Sequence, residues 1–347
     1  MVRLLQLCFL LTSVSEALAA ATSYSSKREY GADACSSNTT KVVPWHNLTS
    51  AEKSDYLDAA VCLTKESAKV GLGGSKTRWD EIQYQHIKQV AWIHFVGQFL
   101  PWHRYFLSVH RSLLRDECHY HGPLPYWDEV ADSKLSDLSE SPMFQNSTFG
   151  GNGTGTELCI AGGPFAGVNL TFAPGLCTEP GCVAATADDH CIFRALSTSA
   201  MQENDQESLD TCQNKTTFVD FWDCIENGPH ANGHRAVGGL MGSTAYSPGD
   251  PIFFIHHAFL DLQWWRWQSQ DLDTRLTAIG GSNKPTEAEC KERNETCPGS
   301  DILDYNGDPG NTTTLDHVLW VMDIYPNVTA RDVMNINSSH VCFEYHW

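Results

Sequence analysis

The placement of the histidines constrains the fold of this chain more than any other feature of its sequence. Seven of the 15 histidines fall into two groups along the 347 residues. In the second group His230 and His234 are four residues apart, a spacing that stacks two side chains on one face of an α-helix. The residues between them, Ala231, Asn232 and Gly233, lack the glutamate of the His-Glu-x-x-His motif of zinc proteases. The sequence therefore predicts a helical core that presents imidazoles to a metal by another arrangement.

The first group comprises His86, His94 and His103. Residues 80–98 contain no proline and predict a helix on which the first two members lie about 80° from a common face. Both can therefore reach one metal ion from a single helix. Pro101 interrupts the pattern, and the next predicted helix, over 102–115, contributes the third histidine.

The second group extends into a predicted helix over 251–268 that carries His256 and His257. Adjacent helix positions point about 100° apart, so only one of the two histidines faces a given metal. Phe253, His257 and Asp261 form one stripe, with the carboxylate one turn after the histidine, where it can orient that imidazole. This stripe favours His257 as the ligand and leaves His256 as an ordinary hydrogen-bonded helix histidine.

Each group thus offers three imidazoles from two helices, without an obvious Cys, Asp or Glu ligand. Three imidazoles per ion suit zinc or copper and leave open positions for a small ligand. The carboxylate bridges that usually join two zinc ions in hydrolases have no counterpart in either group. The sequence therefore predicts a dinuclear site built from six imidazoles.

Longer motifs surround these histidines. They are Phe99-Leu100-Pro101-Trp102-His103-Arg104-Tyr105-Phe106, then Asp250-Pro251 with His256-His257-x-x-x-Asp261-x-x-Trp264, and finally Phe343-Glu344-Tyr345. They resemble the copper A region, the copper B region and the aromatic-x-Tyr motif of the type-3 copper proteins, the tyrosinases, catechol oxidases and haemocyanins. The resemblance covers roughly residues 30 to 347.

The resemblance implies a mainly α fold, in which a central four-helix bundle holds a dinuclear copper site, with long disulfide-stapled loops and few short strands. Its implied copper ligands are His86, His94 and His103 for copper A, and His230, His234 and His257 for copper B. The implied activity is oxidation of o-diphenols (catechols) to o-quinones, with O2 as co-substrate reduced to water. Hydroxylation of some monophenols and oxidation of o-aminophenols are further implied activities. A haemocyanin-like protein that binds O2 reversibly, and a secreted structural glycoprotein whose histidines merely pack, are the alternatives.

Two departures from the family pattern bear on this activity. Trp92 lies two residues before His94, and no Cys occurs between the copper A histidines, so no histidine–cysteine thioether is expected. Ala231 stands where strong monophenol hydroxylases often have Asn, which predicts weaker assistance to monophenol deprotonation. Glu226 is the candidate water-polarising proton acceptor, with a solvated carboxylate at a helix end as the alternative.

Other residues are expected around the opening of the site. Phe253 matches the aromatic residue that packs over a copper B histidine in this family. The gate over copper A is expected from Thr244, Ala245 or Tyr246, among which the sequence does not choose. Arg235 is expected at the mouth, where it either meets an acidic substrate or pairs with a surface carboxylate.

The start of the chain reads as a targeting signal. Residues 1–19 combine a basic start at Arg3, a short apolar run and a small-x-small cleavage site, which predicts a secretory signal peptide. Residues 20–347 are then expected to form a single tyrosinase-like catalytic domain without the C-terminal shielding domain of latent members. No stretch is long enough to span a bilayer. The sequence therefore predicts a secreted, extracellular protein.

Cysteines and glycosylation sequons support that prediction. After loss of Cys8 with the signal, 12 cysteines remain, an even number that predicts up to six disulfides of undetermined connectivity. N-linked glycans on surface loops are expected from ten Asn-x-Ser/Thr sequons. The sequon asparagines are Asn38, Asn47, Asn146, Asn152, Asn169, Asn214, Asn294, Asn311, Asn327 and Asn337.

Charge and composition limit the partners. The formal net charge of −19 argues against nucleic acid or an anionic membrane surface, because both require clusters of Lys and Arg. Small phenols and O2 are the expected partners, and the oligomeric state is left open.

Further helices are predicted over 50–70, with Ser50 as N-cap, and over 217–226, followed by a break at 227–229. Residues 131–217 are predicted to be a long, glycosylated loop excursion, and the tail from Asn283 a loop region with short strands.

Overall fold

The helices account for most of the regular structure in this computed structural model. It describes Cys35, residues 39–172, Pro174, residues 190–292, Asp308 and residues 310–347. The predicted signal peptide and the asparagines of two sequons, Asn38 and Asn294, lie outside the described residues. The helices are α1 (Ser50–Leu63), α2 (Arg78–Ile93), α3 (Phe99–Cys118), α4 (Glu129–Asp132), α5 (Thr198–Gln202), α6 (Gln206–Gln213), α7 (Phe218–Ile225), α8 (Ala231–Val237), α9 (Ile252–Ser269), α10 (Leu272–Arg275), α11 (Glu287–Glu292) and α12 (Ala330–Val333).

The strands are few and short. They are β1 (Thr40–Pro44), β2 (Leu124–Tyr126), β3 (Gly153–Thr154), β4 (Cys159–Ile160), β5 (Asn169–Leu170), β6 (His190–Cys191), β7 (Val318–Leu319), β8 (Val328–Thr329) and β9 (Phe343–Tyr345). The largest sheet has the order β2-β1-β9 and is parallel throughout, with Val42 opposite Leu124 on one side and Tyr345 on the other. The aromatic-x-Tyr motif is therefore a strand beside β1, a pairing that the sequence analysis did not predict.

The first helix begins one residue earlier than predicted and ends well before residue 70. Thr49, and not Ser50, is the N-cap: its hydroxyl accepts from the Glu52 amide at 3.2 Å, and Glu52 accepts from the Thr49 amide at 2.8 Å. This reciprocal capping box satisfies two amides that the helix cannot. Beyond Leu63 the chain offers mainly exposed polar residues, and it pairs instead with the residues before α2, through a bridge between Ser67 and Thr77.

The boundary between α2 and α3 also differs from the prediction. The second helix ends at Ile93, so His94 lies just beyond it in extended backbone. The third helix begins at Phe99, and Pro101 is its third residue. A proline there removes no helical hydrogen bond, because the first four amides of a helix have no partner within it. Pro101 therefore belongs to the first turn of α3 and is not the interruption that the sequence analysis predicted.

The predicted break at 227–229 is wrong as well. Residues Glu226–His230 form a π-helical turn that joins α7 directly to α8. Pro229 has no amide hydrogen, and a wider turn accommodates it without ending the helical course. This continuous helical segment sets the relative positions of the His230 and His234 side chains.

The central helix of the molecule is α9. Its side chains are buried on every face from Ile252 to Trp264, as expected of a helix enclosed by other elements. It packs on α3, β2 and the π turn. Together α2, α3, the α7–α8 segment and α9 form the predicted helical bundle. Among the described residues, no helix has the length and hydropathy of a membrane span.

The excursion over 131–217 contains more structure than predicted. It includes α5, α6 and two short antiparallel strand pairs, β3–β4 and β5–β6. Arg194 fixes it to the start of α9, because the guanidinium donates to both oxygens of Asp250 at 2.6 and 2.8 Å and to the carbonyls of Phe149 and Gly150. The excursion is therefore attached to the bundle by a buried, bidentate ion pair.

Disulfides cross-link the described chain at several points. The pairs are Cys35–Cys342, Cys62–Cys118, Cys159–Cys191 and Cys212–Cys224. Cys290 is also disulfide-bonded, so all nine described cysteines are oxidised. Cys177, Cys182 and Cys297 lie outside the described residues. The described sequon asparagines are all exposed: Asn47, Asn146, Asn152, Asn169, Asn214, Asn311, Asn327 and Asn337.

A buried histidine in α3 leads to a prediction about pH. The ring of His110 stacks on Phe254 at 3.7 Å, its Nε2 has no hydrogen-bond partner, and burial lowers its pKa to about 3. The unfolded chain takes up this proton below its ordinary pKa of 6.5, whereas the folded chain does not. The contribution of neutral His110 to the free energy of unfolding is therefore fully present above pH 6.5. Below that pH it falls by about 1.4 kcal/mol per pH unit, down to about pH 3.

We expect His110→Phe to remove this contribution. Between pH 6.5 and pH 5 the free energy of unfolding of the variant should fall by about 2 kcal/mol less than that of the unaltered protein. Urea unfolding at the two pH values measures the difference. The comparison uses the change with pH, so an offset in stability from the larger ring does not affect it. Equal changes in both proteins would show that His110 takes up its proton in the folded state.

Candidate metal centre

Six buried imidazoles meet in the middle of the bundle. Within the first group, the ring centroids of His86, His94 and His103 lie 5.0 to 5.8 Å apart. Within the second, those of His230, His234 and His257 lie 4.5 to 5.6 Å apart. The groups adjoin, because the rings of His103 and His257 stack at 4.4 Å and those of His94 and His230 at 5.8 Å. The structure therefore brings together all six histidines that the sequence selected.

The orientation of five of these rings is set by backbone carbonyls. The Nδ1 atoms of His86, His94, His103, His230 and His234 lie 2.8 to 3.1 Å from the carbonyls of Ala245, Val90, Phe99, Glu226 and Met241, respectively. A carbonyl oxygen only accepts hydrogen bonds, so each of these contacts places the proton on Nδ1. Each Nε2 then carries the lone pair that a metal ion requires.

The buried Nε2 atoms fit a metal pair. Those of His86, His103, His230, His234 and His257 are enclosed and have no hydrogen-bond partner. A buried polar atom without a partner destabilises the fold. One metal ion bound by each group of three histidines would give these five Nε2 atoms a partner and remove that cost. Ligand nitrogens of each group lie within 4.8 Å of one another. The donor set, imidazole without thiolate or carboxylate, suits copper or zinc.

The electrostatics agree with metal binding. Burial lowers the pKa of His86, His103, His230, His234 and His257 well below the ordinary value, and neighbouring imidazoles lower it further. These rings are therefore neutral near pH 7, which is the form that binds a metal.

A seventh histidine completes the second cluster. The Nδ1 of His256 bonds to Glu129 Oε1 at 2.5 Å, while its Nε2 is buried without a partner. Its ring lies 4.8 Å from His234 and 5.1 Å from His257. The predicted hydrogen bond is confirmed, but the other nitrogen faces the same crowded interior as the expected ligands.

Two residues that the sequence analysis missed hold this histidine. Glu129 is fully buried and accepts from Asn204 Nδ2 at 2.7 Å, and Asn204 also donates to the carbonyl of Pro229 at 2.9 Å. The absence of a side chain at Gly233 provides the space for the His256 ring, because a Cβ at this position would lie 2.3 Å from Cε1 of His256. No local pattern indicates these contacts, since Glu129 follows β2 and Asn204 belongs to the loop excursion.

Glu226 links the two halves of the site. It is 1% exposed, which excludes the solvated carboxylate considered as its alternative. Oε1 accepts from the Phe95 amide at 2.7 Å, and Oε2 accepts from the Trp222 indole at 2.5 Å. Because Phe95 directly follows His94, this carboxylate ties the turn after α2 to the π turn that ends at His230.

Phe253 and Asp261, both on α9, have different surroundings. The ring of Phe253 is fully buried, 4.2 Å from that of His257 and 5.2 Å from that of His86, so it packs against both groups. Asp261 does not orient His257 as the stripe suggested. Its oxygens accept from Arg104 Nε at 2.5 Å and from the Tyr345 hydroxyl at 2.6 Å, because at that turn α9 faces α3 and β9.

The residues expected at the mouth lie on α8 and on the loop that follows it. Arg235 is exposed and pairs with Glu203 at 3.1 Å, so of the two alternatives the structure shows the carboxylate pair. Thr244 and Ala245 are half-buried, and the carbonyls of Ala245 and Tyr246 bond to His86 and Gln83 of α2. Ala231 is half-buried at the start of α8.

Comparison with known proteins gives the same picture. The common central domain of tyrosinase matches residues 76–270. The chain is 30% identical to tyrosinase ustQ of Aspergillus flavus over 87% of its length and 78% of that protein. It is 26% identical to N-acetyl-6-hydroxytryptophan oxidase ivoB of Emericella nidulans, over 87% of its length and 90% of that protein.

Two solved structures share the fold. A variant of polyphenol oxidase from Thermothelomyces thermophila superposes with a TM-score of 0.73, 24% identity and coverage of 91% of each chain. A functional unit of octopus haemocyanin superposes less closely, with a TM-score of 0.52, 17% identity and coverage of 88% of this chain and 68% of that one. The family's fold carries a dinuclear copper site, and O2 is the co-substrate of its oxidases. The chain belongs to the tyrosinase family of type-3 copper proteins.

Proposed function

We propose that this protein oxidises o-diphenols to o-quinones at a copper pair held by the six histidines. Copper A is assigned to His86, His94 and His103, and copper B to His230, His234 and His257. The observation that carries the proposal is the meeting of these six buried imidazoles, whose possible ligand nitrogens lie within 4.8 Å of one another in each group. Overall, two diphenols and one O2 give two o-quinones and two waters.

The chain's own residues would contribute geometry and a dry pocket. When bound, the copper pair supplies the coordination of O2 and the exchange of electrons with it. Carbonyl contacts at Nδ1 orient five of the six imidazoles without a metal, so little reorganisation of these rings would accompany metal binding. The buried ring of Phe253 packs against His86 of one group and His257 of the other, where it would help to exclude water.

Glu226 is the proposed proton acceptor for the phenol. Oε1 of Glu226 accepts from the Phe95 amide, and Oε2 accepts from the Trp222 indole. These two bonds would fix the carboxylate beside His94 and His230. Its buried position, next to both groups, supports a role in taking up or relaying a phenolic proton through water.

The similar proteins favour an enzyme over an oxygen carrier. One relative is named as a tyrosinase and another as an oxidase of N-acetyl-6-hydroxytryptophan, a hydroxylated aromatic compound. The haemocyanin unit is the more distant fold match. Secretion and N-glycosylation, which we also propose, are supported by the oxidised cysteines and the exposed sequon asparagines.

Oxygen uptake by the purified, copper-loaded protein tests the proposed activity. We expect rapid uptake with catechol and slow uptake with tyrosine in separate runs. Rapid uptake with both substrates would make the protein a tyrosinase with full monophenol hydroxylation. Two bound coppers without uptake on any phenol, together with reversible O2 binding, would support the carrier instead.

The residue after His230 should set the balance between the two substrates. Ala231 cannot help Glu226 to hold a water molecule, whereas an amide can donate and accept hydrogen bonds. We expect Ala231→Asn to raise the ratio of monophenol to diphenol turnover by roughly tenfold, within the range of assisted proton transfer. Ala231→Leu is the control for side-chain size. An unchanged ratio in the asparagine variant would contradict the role given to Glu226.

A further inference from the structure

A second cavity lies beside α3, away from the copper centre. Its volume is about 370 Å³, and its walls come from α3, from the segment around β8 and from the Cys35–Cys342 disulfide. Arg111 and Arg115 line it on one side, and Tyr325, Val328 and His340 on others. Arg111 is eight residues after His103, or about 12 Å further along the helix axis.

Arg111 differs from the other deeply buried arginines. Arg78, Arg104 and Arg194 are at most 3% exposed, and each forms an ion pair: Arg78 with Glu81 and Glu117, Arg104 with Asp261, and Arg194 with Asp250. Arg111 is 8% exposed, and no residue of the described chain forms an ion pair with it. Among the arginines that the structure describes as buried, Arg111 is thus the one without a carboxylate partner, in a chain of net charge −19.

The guanidinium keeps its charge in this position. Burial and the neighbouring Arg115 lower its pKa to about 10, which still leaves it protonated near pH 7. Its Nη1 donates to the Thr40 hydroxyl at 3.2 Å, and its Nε has no partner. The ring of Phe343, 5.7 Å away, offers only a weak cation–π contact. A buried charge of this kind is stabilised by a counter-ion.

The groups around Arg111 favour an anion over a cation. Asp116 is the carboxylate that raises the pKa of Arg111, but it accepts from Arg115 at 2.7 Å and from the Tyr325 hydroxyl at 3.3 Å. Lys41 and His121 line an adjoining cavity with Arg111, and Glu52 of that cavity accepts from the Thr49 amide. The balance of charge at Arg111 is therefore positive.

We propose that this cavity binds a small oxyanion, a carboxylate or a phosphate, through the Arg111 guanidinium. The planar fork of arginine suits two oxygen atoms of one anion. The rings of Tyr105 and Tyr325 and the side chain of Val328 give the cavity apolar walls. Its volume exceeds the roughly 30 Å³ that one water occupies in the liquid many times over, so it has room for an aromatic carboxylate.

Titration calorimetry on the copper-loaded protein tests the proposal with sodium benzoate and inorganic phosphate as separate probes. We expect Arg111→Gln to weaken at least one of them by about tenfold or more, as loss of a charge-assisted pair requires. Arg331→Gln, which removes the same charge at an exposed surface pair with Asp316, should leave both unchanged. Any benzoate that binds at the copper centre contributes the same heat signal in both variants, so it does not affect the comparison between them.

The two probes distinguish the source of the anion. A loss confined to benzoate identifies an organic carboxylate, and a loss of both identifies a general oxyanion site. Equal affinities of the unaltered protein and Arg111→Gln for both probes would overturn the proposal. Catechol oxidation should be unchanged in this variant, which also reports that it has folded.

A second measurement needs no variant. Crystals of the unaltered protein soaked in 4-bromobenzoate should show an anomalous bromine peak between Tyr105 and Tyr325, with the carboxylate on Arg111. Bromine only at the copper centre or at the molecular surface would contradict a carboxylate site in this cavity.

Discussion

Gly233→Ala is expected to disrupt the copper B half of the site. The added Cβ would lie 2.3 Å from Cε1 and 2.5 Å from Nδ1 of His256, and 3.2 Å from Glu129 Oε1. His256 is held by Glu129 and adjoins His234, so it cannot move without displacing its neighbours. We expect a loss of about 1 to 3 kcal/mol in unfolding free energy and roughly 10- to 100-fold weaker binding of one copper ion.

Gly228→Ala is the matched control. Gly228 lies in the π turn, five residues earlier, and nothing stands within 4 Å of its added Cβ. The same substitution there should leave copper content unchanged and stability unchanged or raised by about 0.5 kcal/mol. Thermal unfolding and copper analysis after dialysis measure both effects. Similar behaviour of the two variants would show that His256 and Glu129 do not support the copper B ligands.

Substitution of adjacent histidines should separate a copper ligand from its support. We expect His257→Gln to reduce bound copper from two ions per chain to one. Catechol oxidation should fall by roughly a thousandfold or more, which corresponds to a loss of about 4 kcal/mol of transition-state stabilisation. His256→Gln retains a donor for Glu129, so it should keep two coppers and lose less than tenfold of the rate.

The two variants carry the same substitution one residue apart on α9, which controls for the loss of an imidazole from this helix. Copper per chain by atomic spectroscopy and initial rates of oxygen uptake are the measurements. A larger loss of copper in His256→Gln than in His257→Gln would reverse the assignment of the third copper B ligand.

The sequence predicted the site better than the course of the backbone around it. All six histidines could be selected because their spacing and flanking motifs are local, and helices carry them to one place. The same reasoning placed His94 inside α2, although that helix ends at Ile93. Helical periodicity does not show where a helix ends when no capping residue marks the end, and the ring reaches His86 from the turn instead.

The errors elsewhere have a common cause. Asp261 has the spacing to face His257, but Arg104 and Tyr345 compete for its oxygens. Thr49 and Ser50 are both acceptable N-caps, and the position of Glu52 decides between them. Glu129 and Asn204 gave no signal because their contacts with His256 and Pro229 join distant parts of the chain. Tertiary contacts of this kind are not encoded in short-range patterns.

The most direct test of the copper assignment is anomalous diffraction at the copper edge from crystals of the copper-loaded protein. We predict two peaks, one surrounded by the Nε2 atoms of His86, His94 and His103, the other by those of His230, His234 and His257. A single peak would contradict the dinuclear assignment. A second peak bound by His256 in place of His257 would contradict the proposed copper B ligand set.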